Sequence, residues 1–321
     1  MKKKWRKWIF VGLLIAIFVE LLIIIPRRIK KSKTEEIIEV AQNLQNEKST
    51  GKLTNAHYVE SFKGQRDWEL YAKTAEGTLG HGLWKLDEIK VLYYNKDNVD
   101  FTVVGRKGAV NGETKDMDIE GDVTTLSANG YRFSTPIVSY RSKERTIVSP
   151  DQVLMVGPKD EDGDGLILRG KTMIVSVDEN TMVIKQNVFA EKGMRDGKIE
   201  IKSDVAEFSG NHKTAKFIGN VEMKYGTYVL AGPEAQLNYG QKENFLGMIS
   251  FRGGVQVRDK DKSATSEKVN MDLKNGFLSL EGRPRVIQGE DEISGDRILF
   301  LDQGKKIKVE NAQDSKGTLS K

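Results

Sequence analysis

The chain has 321 residues with 31 glycines, 6 prolines and no cysteine. Without thiols it has no disulfides and no thiolate metal sites, and many glycines with few prolines suit a chain built of hairpin turns. The formal charge of +5 is uneven: residues 1–33 hold ten Lys/Arg and one Glu (+9), and the other 288 hold 41 basic and 45 acidic groups (−4), which excludes a basic nucleic-acid-binding body.

Trp8 to Ile25 is an 18-residue run whose one charge is Glu20, preceded by Lys2, Lys3, Lys4, Arg6 and Lys7 and closed by Pro26, Arg27 and Arg28. At about 1.5 Å per residue it is just long enough to span a bilayer, with Trp5 and Trp8 suited to the interface. Ile23-Ile24-Ile25-Pro26 offers no small-residue cleavage site, so residues 1–28 are expected to remain as a cytoplasmic tail and transmembrane anchor. The body then lies outside, in the periplasm of a cell with two membranes. A carboxylate in hydrocarbon is costly unless neutral, paired or near the interface. Glu20 therefore either snorkels or meets a donor on a partner transmembrane helix.

Residues 29–54 read as a linker or short amphipathic helix: charges alternate with Ile37, Ile38, Val40, Ala41 and Leu44, Thr34 is a possible cap, and Glu47–Thr54 is polar and loose. Strands are expected from Tyr58-Val-Glu-Ser-Phe62 onward, through Trp68-Glu-Leu-Tyr-Ala72, Ile89–Tyr94 and Phe101–Val104. The densest alternation runs from Phe217 to Phe251 and reads as four short strands broken by turns, with one apolar face.

An internal repeat runs through the body. A small or polar pair followed by valine opens an alternating strand at Gly121-Asp122-Val123, Gln186-Asn187-Val188, Gly219-Asn220-Val221 and Gly253-Gly254-Val255, with weaker copies at Gln152-Val153 and Pro284-Arg285-Val286. The anchors Ile89, Val123, Val153, Val188, Val221, Val255 and Val286 are 34, 30, 35, 33, 34 and 31 residues apart. A unit of this length must stack on its neighbours to bury its apolar face.

Chemistry-bearing motifs are sparse. Asp160-Glu-Asp162-Gly-Asp164-Gly165 matches the start of a calcium loop, but its twelfth position is Lys171 and a strand follows, so it reads as an acidic hairpin loop. His57, His81 and His212 have no companions at metal-ligand spacing, and there is no phosphate-cradling glycine loop and no serine elbow. No catalytic residue, metal or other cofactor is expected.

A basic tail, one uncleaved transmembrane helix and a short tether lead into Trp68-Glu-Leu-Tyr-Ala-Lys-Thr-Ala75 and Ile89-Lys-Val-Leu-Tyr-Tyr94, then Gly121-Asp-Val and Gly130-Tyr-Arg-Phe133. Over residues 5–220 the chain resembles the LptC family, bitopic inner-membrane components of the lipopolysaccharide export bridge. From Gly219 through Ile287 it is similar to the LptA/OstA periplasmic module. The resemblance implies an all-β body: an extended, twisted β-jellyroll, or β-taco, of stacked short antiparallel strands that joins other modules through open edges. It implies a non-enzymatic role, receiving lipopolysaccharide from an inner-membrane ABC transporter of permease and ATPase and passing it to a periplasmic LptA-like partner. The implied division is 1–28 anchor, 29–54 tether, 55–217 LptC-like, 218–303 LptA/OstA-like and 304–321 flexible tail. A static scaffold or a glycan-binding protein at the membrane is the alternative.

If each strand keeps its parity, Val123, Phe133, Val188, Phe208, Val221, Met223, Tyr228, Leu237, Phe245 and Ile249 share the interior face and are the expected contacts of acyl chains. Periodicity leaves open whether that interior is a trough or a filled core.

Overall fold

The computed structural model describes residues 50–78, 82–95, 97–159, 163–195, 197–209, 213–239, 246–301 and 306–316. The expected anchor with Glu20, the helix expected near 30–48, Asp160, Glu161, Asp162 and Phe245 lie outside the described residues. The chain divides into two compact units, Met1–Gly51 with Gly77–Gly82, and Lys52–Glu76 with Leu83–Lys321. The described part of the first is limited to strand ends; the second holds the rest of the fold.

Every described element is a strand, and pairing is antiparallel throughout. In chain order they are β1 (Thr50–Phe62), β2 (Gln65–Thr78), β3 (Leu83–Asn95), β4 (Asn98–Asn111), β5 (Met117–Ser127), β6 (Arg132–Arg141), β7 (Thr146–Ser149), β8 (Val153–Val156), β9 (Ile167–Gly170), β10 (Thr172–Ser176), β11 (Thr181–Met194), β12 (Gly197–Ser209), β13 (Thr214–Tyr225), β14 (Tyr228–Tyr239), β15 (Leu246–Asp259), β16 (Lys262–Asp272), β17 (Phe277–Glu281), β18 (Arg285–Gln288), β19 (Asp291–Ser294), β20 (Arg297–Leu301), β21 (Lys306–Glu310) and β22 (Gln313–Lys316). Two expectations change here. Residues 50–54 already form strand, and the expected tail from 304 contributes β21 and β22.

The long strands are bent in the middle. The repeat signature marks the bend: Gly121 and Asp122 have φ of 85° and 52°, Gln186 and Asn187 67° and 54°, Gly219 and Asn220 78° and 47°, and Gly253 and Gly254 both 90°. Each pair of left-handed residues coincides with a register shift, as between Ile218 and Val221 in the β13–β14 ladder. Left-handed backbone favours glycine and tolerates asparagine and aspartate, hence a small or polar pair in the sequence. Two inserted residues preserve the two-residue side-chain period. Phe217 before the bend and Val221 and Met223 after it are all buried on one face. Of the four short strands expected over Phe217–Phe251, the second and third form one strand, β14: the break at Gly232-Pro233 lies inside it, at the register shift opposite Gly219-Asn220 of β13.

The intervening strands bend differently. In β12, burial passes from Ile201 and Ser203 to Ala206; in β16 from Ala264 and Ser266 to Val269. One parity step is lost, and a hydroxyl takes up the disrupted backbone: Ser203 donates to Val205 O (2.9 Å), Ser266 to Lys268 O (2.7 Å) and Thr135 in β6 to Ile137 O (3.3 Å). Side chains also meet across successive bends, with Arg106 on Asp122 at 2.7 Å and Asn220 on Asp204 at 2.9 Å. The Arg106–Asp122 pair is largely exposed, so it contributes at most about 1 kcal/mol; the left-handed backbone sets the bend.

Because each strand bends, it contributes to two facing walls. Wall A ends at the turns 111–117, 141–146 and 176–181; wall B ends at 95–98, 127–132, 194–197, 225–228 and 259–262. Where the long strands give way to short ones, the walls stay continuous. The second half of β6 pairs with β7 and its first half with β8; β7 passes to β10 and β8 to β9; β11 then collects both. After β16 they separate again, as β17–β20–β21 and as β18–β19–β22. The interior between the walls holds two apolar clusters. One includes Trp68, Val91, Tyr93, Val123 and Tyr140; the other runs from Phe133 and Met155 to Phe300; Val175 packs on both. Residues 217 and 218, the expected module junction, lie inside β13, and the interior divides earlier, near β6 to β10.

Gly253 and Gly254 separate two components of the bend. An added Cβ at Gly253 would lie 2.7 Å from Pro233 Cγ, whereas one at Gly254 meets nothing within 4 Å. Alanine at either position should cost roughly 1–3 kcal/mol in backbone strain. Gly253→Ala should lose about 1 kcal/mol more through overpacking, read as a lower urea midpoint at equal slope. Equal midpoints would show that Pro233 moves aside.

Candidate functional site

The interior face is the one continuous apolar feature of the described chain. Of the ten residues expected there, Val123 is buried in the N-terminal apolar cluster, Phe133, Val188, Val221, Met223, Leu237 and Ile249 are buried in the larger one, and Phe208 and Tyr228 are half-buried and pack against the larger one. Next to the tenth, Phe245, the β14–β15 register shifts: Asn238 faces Met248 and Tyr239 faces Leu246. Leu246 is consequently buried with Ile249 and Phe251, while Met248 is exposed. Gly247 was the available signal for this bulge, since a lone glycine in a strand often marks one.

The walls touch through side chains. Tyr93 of wall B and Tyr140 of wall A meet edge to face with centroids 5.3 Å apart. Toward the C-terminal end, Val257, Ala264 and Val286 face Leu278, Leu280 and Phe300 around a cavity of about 30 Å³. That volume is the share of about one water molecule and too small for an acyl chain. At that end the space between the walls is filled, and admitting a lipid tail there requires the walls to part. Half-buried Phe208, Tyr225, Tyr228 and Tyr239 sit near the wall rims, against the larger apolar cluster. One cation also points inward: Lys192, on the same parity as Val188 and Ala190, is 1 % exposed. Its ammonium donates to Asp164 O and Gly193 O at 3.4 Å. A lysine at a core position has no counterpart in the alternation pattern.

A second polar cluster lies over the N-terminal interior. Arg145, on the β6–β7 turn, donates from Nη1 to Asp67 Oδ2 (2.9 Å) and from Nε to Asp178 Oδ1 (2.5 Å). Its guanidinium also stacks 4.7 Å from the Phe62 ring centroid. The hydrogen bond to Asp67 is the largest influence holding the guanidinium above its ordinary pKa. Tyr140 OH lies 3.5 Å from Asp67 Oδ2. Burial, then the Asp67 charge, pushes the Tyr140 phenol up to about 12. Burial likewise raises Tyr93 well above the usual phenol range. Lys115, on the β4–β5 turn, donates to Tyr58 OH at 2.7 Å and lies 3.8 Å from Glu60.

Nothing here resembles a reaction centre. Among the described residues no group of three or more His, Asp or Glu could hold a metal ion. His57 is stacked on Tyr71 at 4.3 Å and lies 3.5 Å from Glu69. The other two histidines, His81 and His212, lie outside the described residues, as does most of the acidic loop at 160–162.

Comparison with known proteins gives two adjoining matches. Residues 13–192, more than half of the chain, match the family described as lipopolysaccharide-assembly, LptC-related. Residues 200–306 match the LptA/(LptD N-terminal domain) LPS transport protein family. No curated protein matches the chain. Among solved structures, LptH, the LptA homologous periplasmic component of the lipopolysaccharide transport device from Pseudomonas aeruginosa, is 18 % identical over 36 % of this chain and 82 % of its own, with a TM-score of 0.32.

The raised phenol of Tyr140 has a consequence at alkaline pH. A folded-state pKa of about 12 against roughly 10 in the unfolded chain gives stability that is fully present below pH about 10 and lost as pH rises toward 12. Absorbance titration at tyrosinate wavelengths should show a late-ionising class together with the alkaline loss of fold. Tyr140→Phe should shrink both; an unchanged titration would remove Tyr140 from the buried cluster.

Proposed function

This chain belongs to the LptC-related lipopolysaccharide-assembly family, and on that premise we propose that its folded-over interior carries the acyl chains of lipopolysaccharide between the two walls. It is a non-enzymatic, membrane-associated periplasmic component of the lipopolysaccharide transport bridge. The observation that supports the carrier reading is continuity. The two family matches end at 192 and begin at 200, yet β11 and β12 pair from Thr181–Ser209 to Met194–Gly197 through that interval. Two modules are thus joined edge to edge inside one chain.

In this reading residues 1–28 anchor the protein in the inner membrane, with the N-terminus cytoplasmic and the body periplasmic. Glu20 meets a helix of the ABC transporter permease, whose ATPase supplies the energy. The LptC-like module is followed by the LptA/OstA-like module, the two meeting at the β11–β12 step. Each CH₂ kept from water contributes about 0.8 kcal/mol, so tails entering between parted walls replace side-chain contacts without exposing apolar surface. A filled interior is what a static scaffold would also have, and that is the competing reading.

A photo-crosslinking amino acid at Met223, which is buried, should yield a lipopolysaccharide adduct in ATP-supplied membranes. The same group at Glu222 or Lys224, on the outward parity, should yield little. Equal labelling of both faces, or none while the protein still supports growth, favours the scaffold.

The bridge polarity follows from the edges. Unpaired edge strands invite strand addition. The run Ile293–Leu301 is covered by β21 and β22, so the C-terminal edge lies beyond it. Crosslinkers at Lys306 or Lys308 should capture a periplasmic LptA-like partner, and those in β1 the permease complex. Capture of the LptA-like partner from β1 alone would reverse the polarity. Intact mass of the membrane-extracted protein should include residues 1–28, and Glu20→Leu should weaken permease copurification. A mature chain starting near residue 30, or unchanged copurification, would remove these two assignments.

A further inference from the structure

The cations over the N-terminal interior lie on one rim and their main acidic partners on the other. Lys115 and Arg145 sit on the 111–117 and 141–146 turns that end wall A. Asp67 lies beside Trp68, which pairs with Tyr93 of wall B, and Tyr58 and Glu60 lie on β1, the other arm of the hairpin that turns at residues 63 and 64. The contacts Arg145–Asp67, Lys115–Tyr58 and Lys115–Glu60 therefore run from wall A to the β1–β2 hairpin on wall B. Farther along, the ion pairs between described side chains stay within one wall or at a bend, as in Lys216–Glu234, Lys268–Glu281, Arg285–Glu292 and Arg283–Glu267. The clasp is thus confined to one end of the interior.

Its burial decides how it opens. The Arg145 and Asp67 side chains are 13 % and 10 % exposed. Separating a pair so far removed from water leaves uncompensated charge, which is strongly unfavourable, whereas exchanging one anion for another is not. On opening, Arg145 keeps its bond to Asp178, which shares its wall, and stays oriented with Nη1 free to take a new oxygen. The core directly beneath is apolar, with Trp68, Tyr93 and Tyr140 buried. A ligand that replaces Asp67 there carries an anion on an apolar body. Guanidinium is suited to phosphate oxygens.

We propose that Arg145 and Lys115 form an anion-displaced latch: a phosphate group of lipopolysaccharide takes the place of Asp67 and Glu60 on these cations as the walls part and the tails enter. This rests on the carrier reading and adds to it the site of entry and the part of the lipid recognised there. The absence of cysteine from the chain makes the latch accessible to engineered thiols.

The test uses the full-length protein in membranes with a photo-crosslinking amino acid at Tyr93. It is supplied with lipopolysaccharide whose lipid A phosphates are intact or enzymatically removed. Asp67→Asn frees the cation and should raise labelling by the phosphorylated lipid several-fold. Arg145→Gln opens the same contact without leaving a cation and should lower it several-fold. The dephosphorylated lipid should label both variants equally. Joining Asp67→Cys and Arg145→Cys with a reducible bis-thiol linker should abolish labelling until reductant is added, which shows within one folded protein that the walls must part. If Arg145→Gln raises labelling as much as Asp67→Asn, the pair is a staple and phosphate recognition falls. If no variant or linker changes labelling at Tyr93 while Met223 is still labelled, the latch falls and the carrier stands. Labelling at neither position overturns both.

Discussion

Two consecutive residues in left-handed backbone, placed in the middle of β5, β11, β13 and β15, are the constraint on which the rest of this structure depends. They turn a strand back over its own sheet without changing which face its side chains occupy, so one segment supplies both walls of the interior. A glycine–asparagine or glycine–glycine pair reaches this conformation with little strain, whereas β-branched or bulky residues there would not. The alternate strands bend by dropping one parity step and closing the gap with a hydroxyl such as Ser203 or Ser266. The two solutions alternate because neighbouring strands run in opposite directions through the same crease.

This construction separates what holds the walls together along the molecule. At the crease the polar contacts are largely exposed, and each contributes little beside the backbone geometry. Between the walls the contacts are mostly apolar and non-directional, such as Leu230, Leu237 and Ile249, and can be exchanged for other apolar surface at nearly constant area buried. Among the described residues, partly desolvated charges span the opening only over the N-terminal cluster. A sheet of this kind parts readily where contacts are apolar and resists where an ion pair must lose its partner.

The fusion of two family segments in one chain has a simple physical basis. A stacked sheet has no natural last strand: each edge presents donors and acceptors that the next strand satisfies. The step from β11 to β12 uses the same ladder as the steps on either side, and the apolar interior is shared past it from Phe133 to Phe300. Transport needs no reactive group in such a structure. In the carrier reading, passage is set by how the interior face is continued and by which contacts yield as the walls part.

Much of this was legible from residue order, because it is local. Alternation identifies strands, and the small or polar pair before Val123, Val188, Val221 and Val255 recurs visibly, with the backbone preferences that the bends use. A single glycine hinted at the bulge that brings Leu246 inward, but its effect on register is set by the partner strand. Contacts between walls are different. Asp67 and Arg145 are 78 residues apart and follow no period. Nor does the pattern mark Lys192 as a core residue. Sequence by itself determined the strand period, the recurrence of the small or polar pair and the class of interior, but it placed that pair at the start of a strand and not at a crease within one. The tertiary structure alone decided that the C-terminal end of the interior is filled, where the interior divides and which charges close it, because those depend on which rims the folded walls bring within reach.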